Sequence, residues 1–146
     1  MYSNFRAIGI SYKNTPLDVR EAIAFDENQT KQFLVQAKEV LGLEEALLLS
    51  TCNRTEIYFV ASDEVSERLA SFVDVFHGVS TSNPSASYFN KMDQEQATRH
   101  LFNVSLGLES MVLGDIQITN QVKKAYQWSA DEQMAGPFLH RLLHTI

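Results

Sequence analysis

Cys52 is the only cysteine in the chain, and it sits in Ser50-Thr51-Cys52-Asn53-Arg54-Thr55-Glu56, a polar knot between the apolar runs 46–49 and 57–60. Two short runs rich in β-branched, aromatic and aliphatic residues read as strands, so the knot is the turn or strand end joining them. A thiol placed there reaches solvent or a cleft and can act as a nucleophile. Arg54 is permanently charged and stands two residues on; in an extended segment both side chains share one face, where a cation favours thiolate over thiol. The bland alternative is a small buried hydrophobe, the usual state of a lone cysteine in a reducing compartment. On the residues alone both readings stand.

A second polar group lies downstream. His100, Asn103, Gly107, Ser110, Gly114, Gln117 and Gln121 follow one another at alternating steps of three and four, which keeps them on one helical face if the helix is continuous past the glycines. Such a stripe either lines a pocket for a polar ligand or is the solvated side of an amphipathic helix. His100 likewise reads as a hydrogen-bonded packing residue or as a proton-transfer group. No metal is expected: the four histidines and one cysteine show no compact ligand spacing except His140 and His144 one turn apart, and that pair lacks a third ligand nearby.

These residues need elements to position them. Residues 5–12 read as a first strand, ended by the turn chemistry of Asn14-Thr15-Pro16. Asp26-Glu27-Asn28-Gln29 has a capping-box pattern, and Phe33, Leu34, Ala37, Val40 and Leu41 recur at helical spacing until Gly42. Two strands flank the Cys52 turn, residues 63–77 form another amphipathic helix, and 78–87 are a polar loop. From Asp93 the pattern is helical almost to the end, with further helices over 117–133 and 138–146 separated by Gly136-Pro137. The expected fold is α+β: a small antiparallel-rich sheet in β-α-β-β-α order, with helices on one face, followed by a helical second half.

At 146 residues the chain is one domain of ordinary size. Eighteen acidic against twelve basic side chains give a net charge of −6, which argues against a broad electrostatic grip on a phosphate backbone. With no basic-then-apolar leader and no apolar stretch of about 18 residues, a cytoplasmic protein is expected. No Gly-x-Gly-x-x-Gly occurs, so no dinucleotide fingerprint can be placed.

Ser50 to Glu56 resembles the signature of the glutamyl-tRNA reductase family, whose members make glutamate-1-semialdehyde for tetrapyrrole (porphyrin) synthesis. Three further segments resemble that family in the same order: Gly9-Ile10-Ser11-Tyr12-Lys13-Asn14-Thr15-Pro16 with Arg20-Glu21, His100-Leu101-Phe102-Asn103-Val104, and the run from Gly107 to Asp115 continuing into Gln117 and Gln121-Val122-Lys123. The resemblance covers most of the chain and is to the family's amino-terminal catalytic domain. It implies that residues 1–146 form a domain that binds glutamyl-tRNA and forms a thioester, with an NADPH-binding Rossmann unit and a helical dimerisation region elsewhere. It further implies that Cys52 is the nucleophile, that His100 assists, and that Thr51, Asn53, Arg54, Ser110, Asp115, Ile116, Gln117 and Gln121 contact the glutamyl moiety. NADPH is the implied reductant, bound outside these residues. The implied partners are the aminoacylated end of glutamyl-tRNA, a second copy of the full-length protein and the next enzyme, glutamate-1-semialdehyde aminomutase. Asp115 stands where the family usually has glutamate, and Tyr12 where histidine is common. A non-catalytic docking or redox-sensing module with a packed Cys52 is the competing reading.

Overall fold

The computed structural model describes residues 4–80, 84–110 and 116–145, with the side chain of Ile116 outside that description. Four strands, β1 (Phe5–Ser11), β2 (Glu45–Ser50), β3 (Arg54–Val60) and β4 (Asn90–Asp93), form one sheet in the order β2-β3-β1-β4, with every neighbouring pair antiparallel. The helices are α1 (Leu17–Ala22), α2 (Glu27–Leu41), α3 (Ser66–His77), α4 (Gln94–Ser105), α5 (Ile116–Asp131) and α6 (Pro137–His144). The expected α+β class with an antiparallel sheet and a helical second half is the observed one.

Period-two alternation decides which side chains meet which helices. Ile8, Ile10, Ile57, Phe59, Ala46 and Leu48 point to one face, where Phe33, Leu34 and Ala37 of α2 and Leu69, Ala70 and Val73 of α3 close a core. Phe5, Ala7, Leu47, Leu49, Tyr58 and Met92 point to the other, against Leu101 and Val104 of α4, Val122 and Ala125 of α5 and Leu139 of α6. Helices therefore cover both faces, not the one face expected. The reason is that both side-chain sets of β1, β2 and β3 are apolar, and each requires its own cover.

The capping box over Asp26–Gln29 forms as read, with Gln29 N donating to Asp26 Oδ1 at 2.8 Å and Asp26 N to Gln29 Oε1 at 2.9 Å. Two elements depart from the sequence reading. α1 is a six-residue helix that buries none of its residues, and β4 is an edge strand with one buried residue in four; neither carries an apolar period to announce it. The helix from Asp93 is interrupted at Gly107, one of the two glycines at which the sequence leaves its continuity open. Gly107 takes φ +78°, and Gly107 N donates to Val104 O at 3.0 Å while Leu108 N donates to Asn103 O at 2.9 Å. That bond pair is a Schellman motif, in which a left-handed residue ends the helix and satisfies its last carbonyls.

The two sheet edges differ. Along β2, Ala46 N donates to Met134 O at 2.9 Å and Ala46 O accepts the Ser129 hydroxyl, so the α5–α6 segment seals that edge. Glu45 accepts from the backbone N–H groups of Phe138 and Leu139 and so caps the start of α6 from the sheet. β4, the opposite edge, is exposed except at Met92.

Candidate active site

The Cys52 turn is built by its own backbone and hydroxyls. Thr51 N donates to Arg54 O at 2.8 Å, Asn53 N to Thr51 Oγ1 at 3.1 Å, and the Ser50 and Thr55 hydroxyls meet at 3.1 Å behind it. Tyr12 N donates to Asn53 O at 2.8 Å, tying the end of β1 to the same turn. The thiol is thereby left exposed, so the packed-cysteine alternative does not describe this residue.

Thr51, Cys52, Asn53 and Arg54 share a small cleft of about 80 Å³ with Ser110 and, from α5, Gln117, Ile118 and Gln121. Residues about sixty positions apart in sequence thus converge on one opening. The mechanism differs from a continuous helical stripe. Because Gly107 ends α4, Ser110 lies in the following turn and the two glutamines lie on a separate helix. The stripe is broken into two parts: Asn103 lines a groove on the outer face of α4 with Glu95, Arg99 and Phe102, while Ser110, Gln117 and Gln121 face the thiol's cleft. Asp115 and the Ile116 side chain lie outside the described residues; Ile118 is the isoleucine that lines the cleft.

Arg54 is 2% exposed. Its Nη1 donates to Glu56 Oε2 at 3.0 Å and its Nη2 donates to the Glu109 carbonyl, which draws the turn after α4 down onto β3. Glu109 is held in turn by Lys13 Nζ at 2.6 Å and by the Tyr12 hydroxyl on its carbonyl at 3.4 Å. A guanidinium has five N–H donors, so donors remain for a ligand carboxylate in the cleft.

Glu56 is the residue that the reading of Ser50–Glu56 left out of the site. It is 2% exposed and accepts from Arg54, from the Tyr58 hydroxyl at 2.7 Å and from His100 Nε2 at 2.6 Å. Its place in the sheet depends on Gly9, its register partner: a β-carbon there would stand 2.8 Å from Glu56 Cγ. Burial alone raises the carboxyl's pKa; the His100 hydrogen bond and charge, the Arg54 charge and the Tyr58 hydroxyl outweigh it and hold the group below the usual range. Tyr58 is pushed well above the ordinary phenol value, by burial first and then by the Glu56 charge. The signal that could have found Glu56 was the i, i+2 series Arg54, Glu56, Tyr58, which puts two opposite charges on one buried strand face.

His100 does not line the Cys52 cleft. It lines a separate cavity of about 300 Å³ with Gly9, Ser11, Glu56, Asn90, Gln96 and neighbours. The expectation that His100, Ser110 and Cys52 would share one opening is met by Ser110 and Cys52 only. His100 joins them through Glu56 and Arg54, by a hydrogen bond to Glu56 and the Glu56–Arg54 ion pair on β3. An ionised Glu56 can only accept, so His100 Nε2 carries the hydrogen of that bond and Nδ1 is the nitrogen left to exchange a proton.

Among the described residues no group of three or more His, Cys, Asp or Glu side chains is placed to hold a metal ion, and no helix is long and apolar enough to cross a membrane. No phosphate-cradling glycine loop is present in the sequence.

A family model described as "Glutamyl-tRNAGlu reductase, N-terminal domain" matches residues 8–146. The chain is similar to the glutamyl-tRNA reductase of Cytophaga hutchinsonii, with 45% identity over 147 aligned positions covering 100% of the chain and 35% of that protein. It is also similar to that of Rubrobacter xylanophilus, with 41% identity over 94% of the chain and 32% of the relative. The solved structure of glutamyl-tRNA reductase from Methanopyrus kandleri superposes with a TM-score of 0.80 at 27% identity, covering 97% of the chain and 32% of that structure. The chain thus spans about a third of the length of the curated relatives it matches.

Proposed function

The chain belongs to the glutamyl-tRNA reductase family, where it corresponds to the amino-terminal domain, and from that premise we propose that it carries out the acyl-transfer half of the reaction, with Cys52 as nucleophile. The Cys52 sulfur attacks the ester carbonyl joining glutamate to the terminal ribose of glutamyl-tRNA. The new bond is carbon to sulfur, the bond that breaks is carbon to ribose oxygen, and the thiol's proton ends on that oxygen. The products are a glutamyl thioester and uncharged tRNA, with no change of oxidation state. A thioester carbonyl is more easily reduced than a carboxylate, so covalent catalysis divides one difficult step into two. NADPH supplies the hydride in the family reaction that yields glutamate-1-semialdehyde, the first step of tetrapyrrole synthesis; the residues of this chain hold the acyl group for it but do not form its site.

Each side chain has a proposed part. Arg54, fixed on one side by Glu56, presents its remaining donors to a substrate carboxylate with the rigidity that orientation requires. Thr51, Asn53, Ser110, Gln117 and Gln121 offer uncharged donors and acceptors around the glutamyl group, and Asp115 with Ile116 belongs to the same proposed set. His100 Nδ1 takes up the proton the thiol loses, relayed through solvent because the ring does not line the thiol's cleft, and passes it to the leaving oxygen, a role commonly worth about 10²–10⁴-fold. His100 lies beyond Arg54 and Glu56 from the thiol, in the neighbouring cavity. A protein reaction in the cytoplasm, a dimeric full-length protein and hand-over to the aminomutase accompany this reading as family expectations.

The observation that carries the proposal is the convergence of Cys52 and Arg54 with Ser110, Gln117 and Gln121 on one cleft. The test is intact-mass spectrometry of the chain after mixing with glutamyl-tRNA. A glutamyl adduct on Cys52, discharged by hydroxylamine, is expected; an unmodified thiol under single-turnover conditions would defeat the proposal.

A further inference from the structure

The cleft at Cys52 accounts for the glutamyl group and leaves the nucleoside it is esterified to without a seat. We propose that the cavity between β1, β4 and α4 receives the terminal adenosine of the acylated RNA, recognising base and ribose rather than phosphate. The inference rests on the thioester reading above.

Position comes first. Ser11 lines this cavity and is the register partner of Arg54, while the next residue, Tyr12, is hydrogen-bonded to the Cys52 turn. An ester carbonyl presented to Cys52 from this side leads its ribose toward Ser11 and His100. The volume of about 300 Å³ is at the lower end of the ~300–1,000 Å³ typical of small-molecule sites. A single nucleoside, rather than a longer stretch of RNA, suits it.

The lining chemistry narrows the class. Asn90 and Gln96 are exposed and make no side-chain hydrogen bond to another described residue. A carboxamide offers a donor and an acceptor side by side, the pairing that the N6/N7 edge of adenine takes. Ribose hydroxyls, which both donate and accept, suit the Glu56 and His100 pair at the cavity's inner end. Met92 contributes the apolar surface that a base plane needs. A phosphate is disfavoured here: the floor is a buried carboxylate, Lys91 is paired with Glu67 at 2.6 Å, and the chain's net charge is −6.

The experiment compares rates of Cys52 acylation, read by intact mass, from two donors: glutamyl-tRNA, and the α-thioester of glutamate with N-acetylcysteamine, which carries no nucleoside. Asn90→Ala and Gln96→Leu are made at exposed positions, and unchanged circular dichroism and melting midpoints confirm their folding. With glutamyl-tRNA each variant should react at least tenfold more slowly than the parent chain; with the small thioester each should match it. Free adenosine should slow acylation by glutamyl-tRNA, leave acylation by the small thioester unchanged, and shift the amide resonances of Gln96 and Asn90. Variants that react with glutamyl-tRNA at the parental rate, or that slow equally with both donors, would overturn the adenosine seat while leaving Cys52 as nucleophile. Failure of both donors to acylate the parent chain, with adenosine still shifting those resonances, would instead overturn the thioester reading and retain the seat.

Discussion

Glu56 and Cys52 lie four residues apart and impose opposite demands, one on burial and the other on access. Cys52→Ser should abolish the glutamyl adduct in the intact-mass assay while changing stability by no more than about 0.5 kcal/mol, because the side chain is exposed; unfolding of the serine variant would show the thiol to be structural. Glu56→Gln should behave differently. It leaves the Arg54 guanidinium buried without a counter-charge, and breaking a buried pair costs about 3–5 kcal/mol. The linkage sign follows from the depressed Glu56 pKa. Its contribution is fully present above the unfolded-state value near 4.5 and is lost as the pH falls through the lower folded-state value. Urea midpoints measured from pH 6 down to 3 should therefore fall more steeply for the parent chain than for the glutamine variant; parallel curves would mean that Glu56 is not ionised in the fold.

Glycine placement, more than helix propensity, decides how the elements meet around the cleft. Gly107 at φ +78° lets the chain leave α4 and bring Glu109 and Ser110 over Arg54. Gly107→Ala should cost about 1–2 kcal/mol through the left-handed conformation alone, measurable by denaturant unfolding, and should slow Cys52 acylation by loosening the turn. A variant of parental stability and rate would refute the role assigned to that turn. The same glycine marks where the sequence was hardest to read. Steps of three and four from His100 to Gln121 fit one helix; the glycines marked where it could break, and the Schellman bonds show that it breaks at Gly107. Helices α2 and α3 were legible because each has a long apolar period and a terminal glycine. β4 was not, since Asn-Lys-Met-Asp offers a single apolar side chain to a sheet edge, and α1 was not, since it buries nothing. Of the site, the Cys52 turn was readable from its polar knot between two apolar strands. Glu56 was not read as part of it because its alternation with Tyr58 looks like ordinary strand patterning until Gly9 is seen to make room for its carboxylate.

The molecule as a whole divides the chemistry by sheet geometry: the thiol sits at the β2–β3 turn, and the buried Arg54–Glu56 pair leads from it along β3 to His100 on α4. The proposed acyl transfer at that turn needs no reductant. Mixed with glutamyl-tRNA and NADPH, the chain should release free glutamate by hydrolysis of the stranded thioester and leave NADPH absorbance unchanged; aldehyde formation by the chain alone would show that a nicotinamide site had been overlooked. The asymmetry of the sheet's two edges bears on how the protein behaves when crowded. Open strand edges invite intermolecular pairing and aggregation. Here β2 has its outward backbone groups at Ala46 taken by Ser129 and Met134, so a neighbouring copy finds no free backbone groups at that position. The remaining edge is four residues long and carries the charges of Lys91 and Asp93, a combination that makes runaway strand addition between copies unfavourable.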